Sequence, residues 1–497
     1  MIQNALTVIL PIKRGEVEAL RDTLTLIGDD IEDNPYLSWQ SSPSTHFARF
    51  VILDPASLGG SEGKGVPSLK NHPVRLLFTS NHDGSFENYM QELVTRFGAD
   101  MEPIWSKCEG YPVGASTDVP QFTKFISDHS HLKRNAAPEA FYIACRGITV
   151  QEMCQSIALR EAFTNLLSLP ETHDLLRHPS SLVPRSAMVP APSTASSGFV
   201  GLVSGLLSGL LGPLASGLAE WVVGIRNGLN PNLPVYSPET QLAIEDRVTQ
   251  NQMTVIVPIR RDFKARLLLP IILGAVNKLG AKSTGSLSGL TTIHFARWAI
   301  IDEGKNLFFE SNFDGSWENY IDDFVDRASL GMNVIWGNCT GFPRGGCKDI
   351  EWFKKYIRDN QIPAQVFYSA YRNSSIKNNL NDLQVARTLQ RLLSAAEIEQ
   401  LLNGSYRLTD SALKQLMSEP ATALFMSGSY NRGVARVLAT PLQAAQDSSK
   451  GTPTQNGLSQ GAPPAAMPGS TKKSMLSLGL VAALGLLSLW LVRRRKG

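Results

Sequence analysis

Asn312-Phe-Asp-Gly-Ser-Trp-Glu-Asn-Tyr320 decides the fold, because the same nonapeptide stands at Asn81-His-Asp-Gly-Ser-Phe-Glu-Asn-Tyr89 with seven of nine residues identical. Each copy also has the same companions in the same order. His46-Phe-Ala-Arg49 and His294-Phe-Ala-Arg297 precede the copies. Ile104-Trp105 and Ile335-Trp336 follow them, and then come Phe141-Tyr142 to Arg146 and Phe367-Tyr368 to Arg372. An internal repeat fixes the number of structural units before any local element is assigned. Here one unit is written twice.

The periodicities around the nonapeptide give that unit its elements. Residues 5–13, ALTVILPIK, form an apolar run stopped at Pro11 and predict a buried strand. Val17, Leu20, Leu24 and Ile27 share one face of a helix. Strands are predicted over Thr45 to Leu53 and Arg75 to Ser80, with a Gly-rich insertion, Leu58 to Pro73, between them. Asp83, Gly84 and Ser85 then supply a turn and a helix cap. A short helix at Phe122 to Ser127, a fourth strand at Ala140 to Arg146 and a helix at Val150 to Leu167 complete the first unit, and the order recurs from Met253 to Leu393. Strand, helix, strand, strand, helix, strand predicts an α+β fold of two tandem ferredoxin-like (βαββαβ) repeats. Each sheet has one face bare of helices, and pressing the two bare faces together predicts an intramolecular α/β barrel.

The predicted organisation is repeat one over 1–170, a linker over 171–250 carrying an apolar Gly/Ser-rich segment at 198–225, and repeat two over 251–400. A helical extension (401–442), a flexible linker (443–472) and a transmembrane helix (474–492) follow. That last stretch is nineteen residues without a charge, followed by Arg493-Arg-Arg-Lys496. It is long enough to cross the hydrocarbon core. No secretory signal is read at the N-terminus, so the expectation is a single-pass membrane protein with a cytoplasmic body, the bilayer being its partner. Segment 198–225 spaces Gly201, Gly205 and Gly209 by four, which suits close helix approach in lipid. A single crossing there would put the repeats on opposite sides, so a hairpin or an interfacial helix is expected instead.

Composition narrows the function classes. At 497 residues, 43% hydrophobic and 18% charged, the chain can bury two cores. A net charge of +3 gives no electrostatic footprint for nucleic acid. Five cysteines without a CxxC pair make neither a disulfide framework nor a zinc site, and Cys108 and Cys339 at matching positions read as small buried thiols.

The candidate chemistry lies in the HFAR element. Alternation along a strand puts His46 and Ala48 on one face and Phe47 and Arg49 on the other; His294 and Ala296 against Phe295 and Arg297 repeat it. An inward arginine needs an anion, either the Asp83 or Asp314 of its own repeat or a ligand. His46 and His294 are candidate cofactor ligands, with no second histidine to complete a metal set. His82, His129 and His131 belong to repeat one alone, repeat two having Phe313 and Asn360 near the first two positions. Trp105, Trp336, Phe141, Phe367, Tyr142 and Tyr368 read as a packed aromatic core, with the lining of an apolar cavity between the sheets as the alternative.

Tandem ferredoxin-like units with a DG turn after a strand resemble the dimeric α/β-barrel superfamily, which includes dye-decolourising peroxidases, chlorite-dismutase-like proteins and small haem-degrading monooxygenases. The GxxDG motif of the peroxidases carries a distal acid, matched here by Asp83 and Asp314. This chain departs from it with Ser80 and Ser311 in place of the first glycine. It also lacks a histidine in the second repeat's helical region, where that family finds its proximal ligand. The resemblance implies a haem-dependent oxidoreductase acting on a small apolar substrate, with Asp83, Asp314, Arg49 and Arg297 as catalytic groups and His294 or His46 as the haem ligand. Two other readings stand beside it: a non-catalytic lipid or small-molecule binding protein, and a membrane-tethered scaffold.

Overall fold

The computed structural model describes residues 3–55, 67–70, 72–131, 139–172, 249–280, 285, 287, 289–419 and 422. The segments at 198–225, 443–472 and 474–492 and most of the Gly-rich insertion lie outside them. Among the described residues no helix is long and apolar enough to cross a membrane.

In the first repeat, β1 (Gln3–Pro11), α1 (Val17–Asp29), β2 (Thr45–Leu53), β3 (Arg75–Asp83), α2 (Phe86–Phe97), the short α3 (Glu102–Trp105), α4 (Val119–His129), β4 (Ala140–Ile143) and α5 (Val150–Leu167) follow in order. The second runs β5 (Gln250–Pro258), α6 (Phe263–Gly280), β6 (Ile293–Ile301), β7 (Asn306–Asp314), α7 (Trp317–Trp336), α8 (Ile350–Asn360), β8 (Val366–Ser369) and α9 (Ile376–Leu392), then α10 (Ala395–Leu402) and α11 (Asp410–Ser418). These elements build a mixed α+β structure with two four-stranded antiparallel sheets, ordered β1-β3-β2-β8 and β4-β6-β7-β5.

The fourth strands are therefore exchanged. Tyr368 pairs with Ala48, and Tyr142 with Ala296, so each sheet ends in a strand from the other repeat. Sequence reading had each repeat complete its own sheet. Local pairing explains the difference. The outer edge of β1 is already met by the chain after α4, through a bridge between Val8 and Ser130, while the edge of β2 faces the other repeat. The first residue of each sheet then clamps the loop that follows the strand exchanged into the other sheet. Gln3 Nε2 donates to the Ile148 carbonyl at 2.8 Å and Gln250 Nε2 to that of Ser374 at 2.7 Å.

Alternate residues of the strands separate two environments. Ala48, Phe50, Ile52, Leu76 and Phe78 face the helices with Trp39, Trp105 and Tyr368, and Trp298, Phe309, Trp336 and Tyr142 do the same in the other half. The bare faces meet across a seam filled by Val51, Leu53, Leu77, Ile256, Ala299, Ile301 and Phe308. At one end of the seam Phe47, Phe295, Ile143, Met153, Tyr371 and Leu383 close it. Cys108 and Cys339 are buried at matching places, and burial pushes the Cys108 thiol up to about 12, which keeps it protonated.

A helical layer covers one side. Leu159 and Phe163 of α5 pack on Val385 and Leu389 of α9, with Leu401, Leu413 and Leu416 from the extension. Within it the buried Asp382 meets Arg160 Nε at 3.4 Å, and burial pushes its carboxyl up to about 6. A raised carboxyl contributes stability that is complete below its unfolded value and is lost as pH rises through about 6. Asp382→Asn is therefore expected to raise unfolding stability at pH 8 by about 2–3 kcal/mol and to leave it unchanged near pH 4, read by urea unfolding at the two pH values.

Candidate functional site

The repeated nonapeptide folds into a joint. Asn81 and Asn312, two residues before the ends of β3 and β7, meet across the seam, Asn312 Nδ2 donating to Asn81 Oδ1 at 2.8 Å. Gly84 and Gly315 take φ of 83°, which favours glycine. Ser85 and Ser316 cap α2 and α7 by accepting from the backbone N–H of Asn88 and Asn319. The Tyr89 ring stacks on His82 at 3.9 Å and the Tyr320 ring on Phe313 at the same distance. His82 thus occupies the place of a phenylalanine, and burial lowers its pKa to about 3, so it stays a neutral ring.

Asp83 and Asp314 do not receive Arg49 and Arg297. A β-bulge at His46, and its twin at His294, breaks the expected alternation and turns each imidazole toward the aspartate. His46 Nε2 lies 3.1 Å from Asp83 Oδ1 and His294 Nε2 lies 2.7 Å from Asp314 Oδ1. The second carboxylate oxygens accept from the first backbone N–H of α5, at Val150, and of α9, at Ile376, each at 2.8 Å. Each aspartate thereby ties its strand to the helix that follows an exchanged strand. A haem ligand needs an imidazole nitrogen facing open space. His46 has both nitrogens engaged, Nδ1 lying 3.0 Å from the Tyr371 hydroxyl. The buried His294 has Nε2 on Asp314 and its ring beside Phe47 and Tyr371. The residues present do not fit a haem at either histidine.

Arg49 and Arg297 enter the seam in unlike settings. Arg49 Nη1 donates to Gln252 Oε1 at 3.1 Å, and to the Met253 carbonyl and Thr254 Oγ1 at 3.0 Å each; Nη2 donates to the Ser311 carbonyl and to Asn312 Oδ1. Arg297 sits among carboxylates instead, with Nε 3.6 Å from Glu310 and Nη1 4.0 Å from Glu139. Arg297 Nη2 and Glu310 Oε2 have no hydrogen-bond partner among the described residues. Burial pushes the Glu139 carboxyl up despite Arg297.

Glu139 also meets His131 Nε2 at 3.2 Å, and His131 leads outward. With His72, His129, Arg75, Asp302, Glu303 and Lys305 it lines a cavity of about 580 Å³ at the end of the seam opposite the phenylalanine cluster. Its far wall is the β6–β7 turn, where Asp302 and Glu303 take φ of 53° and 56°. Non-glycine residues hold such angles only when their surroundings impose them. Asp302 is fixed by Arg75 Nη1 and Asn306 Nδ2, both at 2.6 Å. Burial pushes the Asp302 carboxyl up, but these donors overcome it and hold it below its ordinary value. His72 is lowered by burial and by Arg75, and His131 by burial and then Arg297, to about 4. Both line the cavity as neutral imidazoles.

Of the histidines found only in repeat one, His129 and His131 reach the cavity, and His82 does not. His129 Nδ1 donates to the Phe125 carbonyl at 2.8 Å, as Asn360 Nδ2 does to that of Tyr356 in repeat two, and its ring is left facing the cavity. Sequence reading missed Glu139, Glu310 and the Asp302–Lys305 turn. The signal was present: β-sheet registers align Glu310 with Thr79 of the other repeat, so the repeats differ in charge around one arginine and not the other. Among the described residues no three His, Cys, Asp or Glu side chains are placed to hold a metal ion. No protein-family model, curated protein or solved structure matches the chain.

Proposed function

We propose that this is a small-molecule-binding protein, built as two ferredoxin-like repeats closed into one intramolecular α/β barrel and tethered to a bilayer through residues 474–492. The fourth-strand exchange supports the single barrel, since neither sheet is complete without the other repeat. The binding reading rests on one observation: His129 and His131, side chains repeat two lacks, converge on a cavity of about 580 Å³, within the size range of ligand pockets.

The ligand class follows from the wall. Its charges already face opposite partners, Arg75 on Asp302 at 2.6 Å and Lys305 on Glu303 at 3.0 Å, and two of its three histidines are held neutral. An ionic ligand gains no unmatched counter-charge there. With its Nδ1–H donated to the Phe125 carbonyl, the His129 imidazole is left with Nε2 as an acceptor, which suits a hydroxyl group. The ligand is a neutral hydroxylated molecule of polyol or sugar size.

Histidine ring NMR on the purified chain tests this with inositol, glucose, inorganic phosphate and acetate as probes. The His129 and His131 signals are expected to shift with inositol or glucose and not with the anions. His131→Ile is expected to weaken the binding about tenfold. Larger shifts with phosphate or acetate, or none with any probe, would overturn the assignment.

A further inference from the structure

Helix α6 presents a stripe unlike anything else on the described surface. Phe263, Leu267 and Ile271 recur every fourth residue and are 71%, 45% and 54% exposed. The same helix buries Ala265, Leu269, Leu273 and Val276 on its opposite face, so the stripe is a second apolar side. Arg261, Lys264 and Arg266 flank it and are exposed. No acidic residue occurs between Phe263 and Gly280. Asp262, just before the helix, is held by Arg260 at 2.9 Å and accepts from the Ala265 backbone N–H.

The other repeat supplies an internal comparison. Helix α1 occupies the matching place and exposes Glu18, Asp22 and Asp29, with Leu26 its only large exposed apolar residue. One fold position thus carries an acidic, water-facing helix in repeat one and a basic, apolar-striped helix in repeat two. Packing does not require the stripe, since α1 packs its own sheet without one.

We propose that the Phe263–Leu267–Ile271 face of α6 docks onto an anionic lipid surface. An interfacial helix buries apolar side chains at the boundary of headgroups and acyl chains, with basic residues level with the phosphates. Charge selects this occupant. A second copy of α6 would bring Arg261, Lys264 and Arg266 against their own kind. The chain's own apolar segment, 198–225, carries one acidic residue, Glu220, too few to match the three basic residues of the rim. Anionic headgroups match both features, each basic residue near such a surface strengthening attachment about fivefold. Docking here would hold β4 and the α7 side of repeat two toward the bilayer.

The test uses the full chain with Phe263→benzoylphenylalanine, irradiated in vesicles of phosphatidylcholine with or without phosphatidylserine. Phospholipid adducts are expected at position 263 in the phosphatidylserine vesicles. They should fall about fivefold for each of Arg261→Gln, Lys264→Gln and Arg266→Gln. The same photoprobe at Leu26 on α1 should give none. Adducts to residues 173–248, cross-linked dimers, or vesicle-bound protein without lipid adducts at 263 would each overturn the docking face. The last outcome would leave the tether at 474–492 standing, and absence of the protein from the vesicles altogether would remove both.

Discussion

Arg49→Ala is expected to lower the unfolding free energy of the chain by about 3–5 kcal/mol, the largest loss from any single substitution in the seam. The guanidinium is buried and, among the described residues, no carboxylate touches it; burial lowers its pKa to about 10, so it remains charged at neutral pH. Its compensation comes from acceptors of the other repeat: the side chains of Gln252, Thr254 and Asn312 and the carbonyls of Met253 and Ser311. Truncation leaves these polar groups facing a void between two sheets, and the one or two left with no other donor cost about 1–3 kcal/mol each. Arg49→Lys should recover only part of the loss, because one ammonium cannot cover the spread of a planar fork. Urea unfolding of the purified chain reads both variants. A loss below about 1 kcal/mol for Arg49→Ala would mean that water enters the seam and satisfies the acceptors.

The duplication was legible because it was written in identical residues, and periodicity placed the strands well: Thr45 to Leu53 was read with the bounds the structure gives to β2. Strand exchange was not legible. Ala140–Ile143 has the same apolar pattern whichever edge it joins, and the choice rests on Ser130 bridging Val8, a contact far along the chain. The site failed for a different reason. Strict alternation sends His46 and Arg49 to opposite faces, and a one-residue bulge cancels that rule while leaving the sequence pattern unchanged. The arginines read as inward-facing and in need of an anion, whereas Arg49 is buried against neutral acceptors. The acceptors of Arg49 lay across the seam, where spacing within one repeat carries no information, whereas Glu310 is the cross-strand neighbour of Arg297 in its own repeat. What sequence does hold is the difference between copies. Asymmetry at His129 and His131 pointed to the cavity, whereas asymmetry at His82 pointed only to a ring that substitutes for Phe313.

Asp83→Ala and Asp314→Ala are each expected to cost about 2–4 kcal/mol, by the same mechanism in both repeats. Each carboxylate serves two buried groups, an imidazole and the opening N–H of a long helix, so truncation leaves two unpaired polar atoms and removes a negative charge from a helix N-terminus. Asp83→Asn and Asp314→Asn keep the shape and one acceptor. They should lose roughly half as much, because the amide cannot accept from both partners. A catalytic distal acid would behave differently. Its Asn variant would keep full stability and lose activity, and only one repeat would respond, since one centre needs one acid. Equal losses from both aspartates in thermal and urea unfolding, with sugar or polyol binding at the His131 cavity unchanged, identify a pair of structural latches. A stability change in one repeat alone would reopen the case for chemistry at the other.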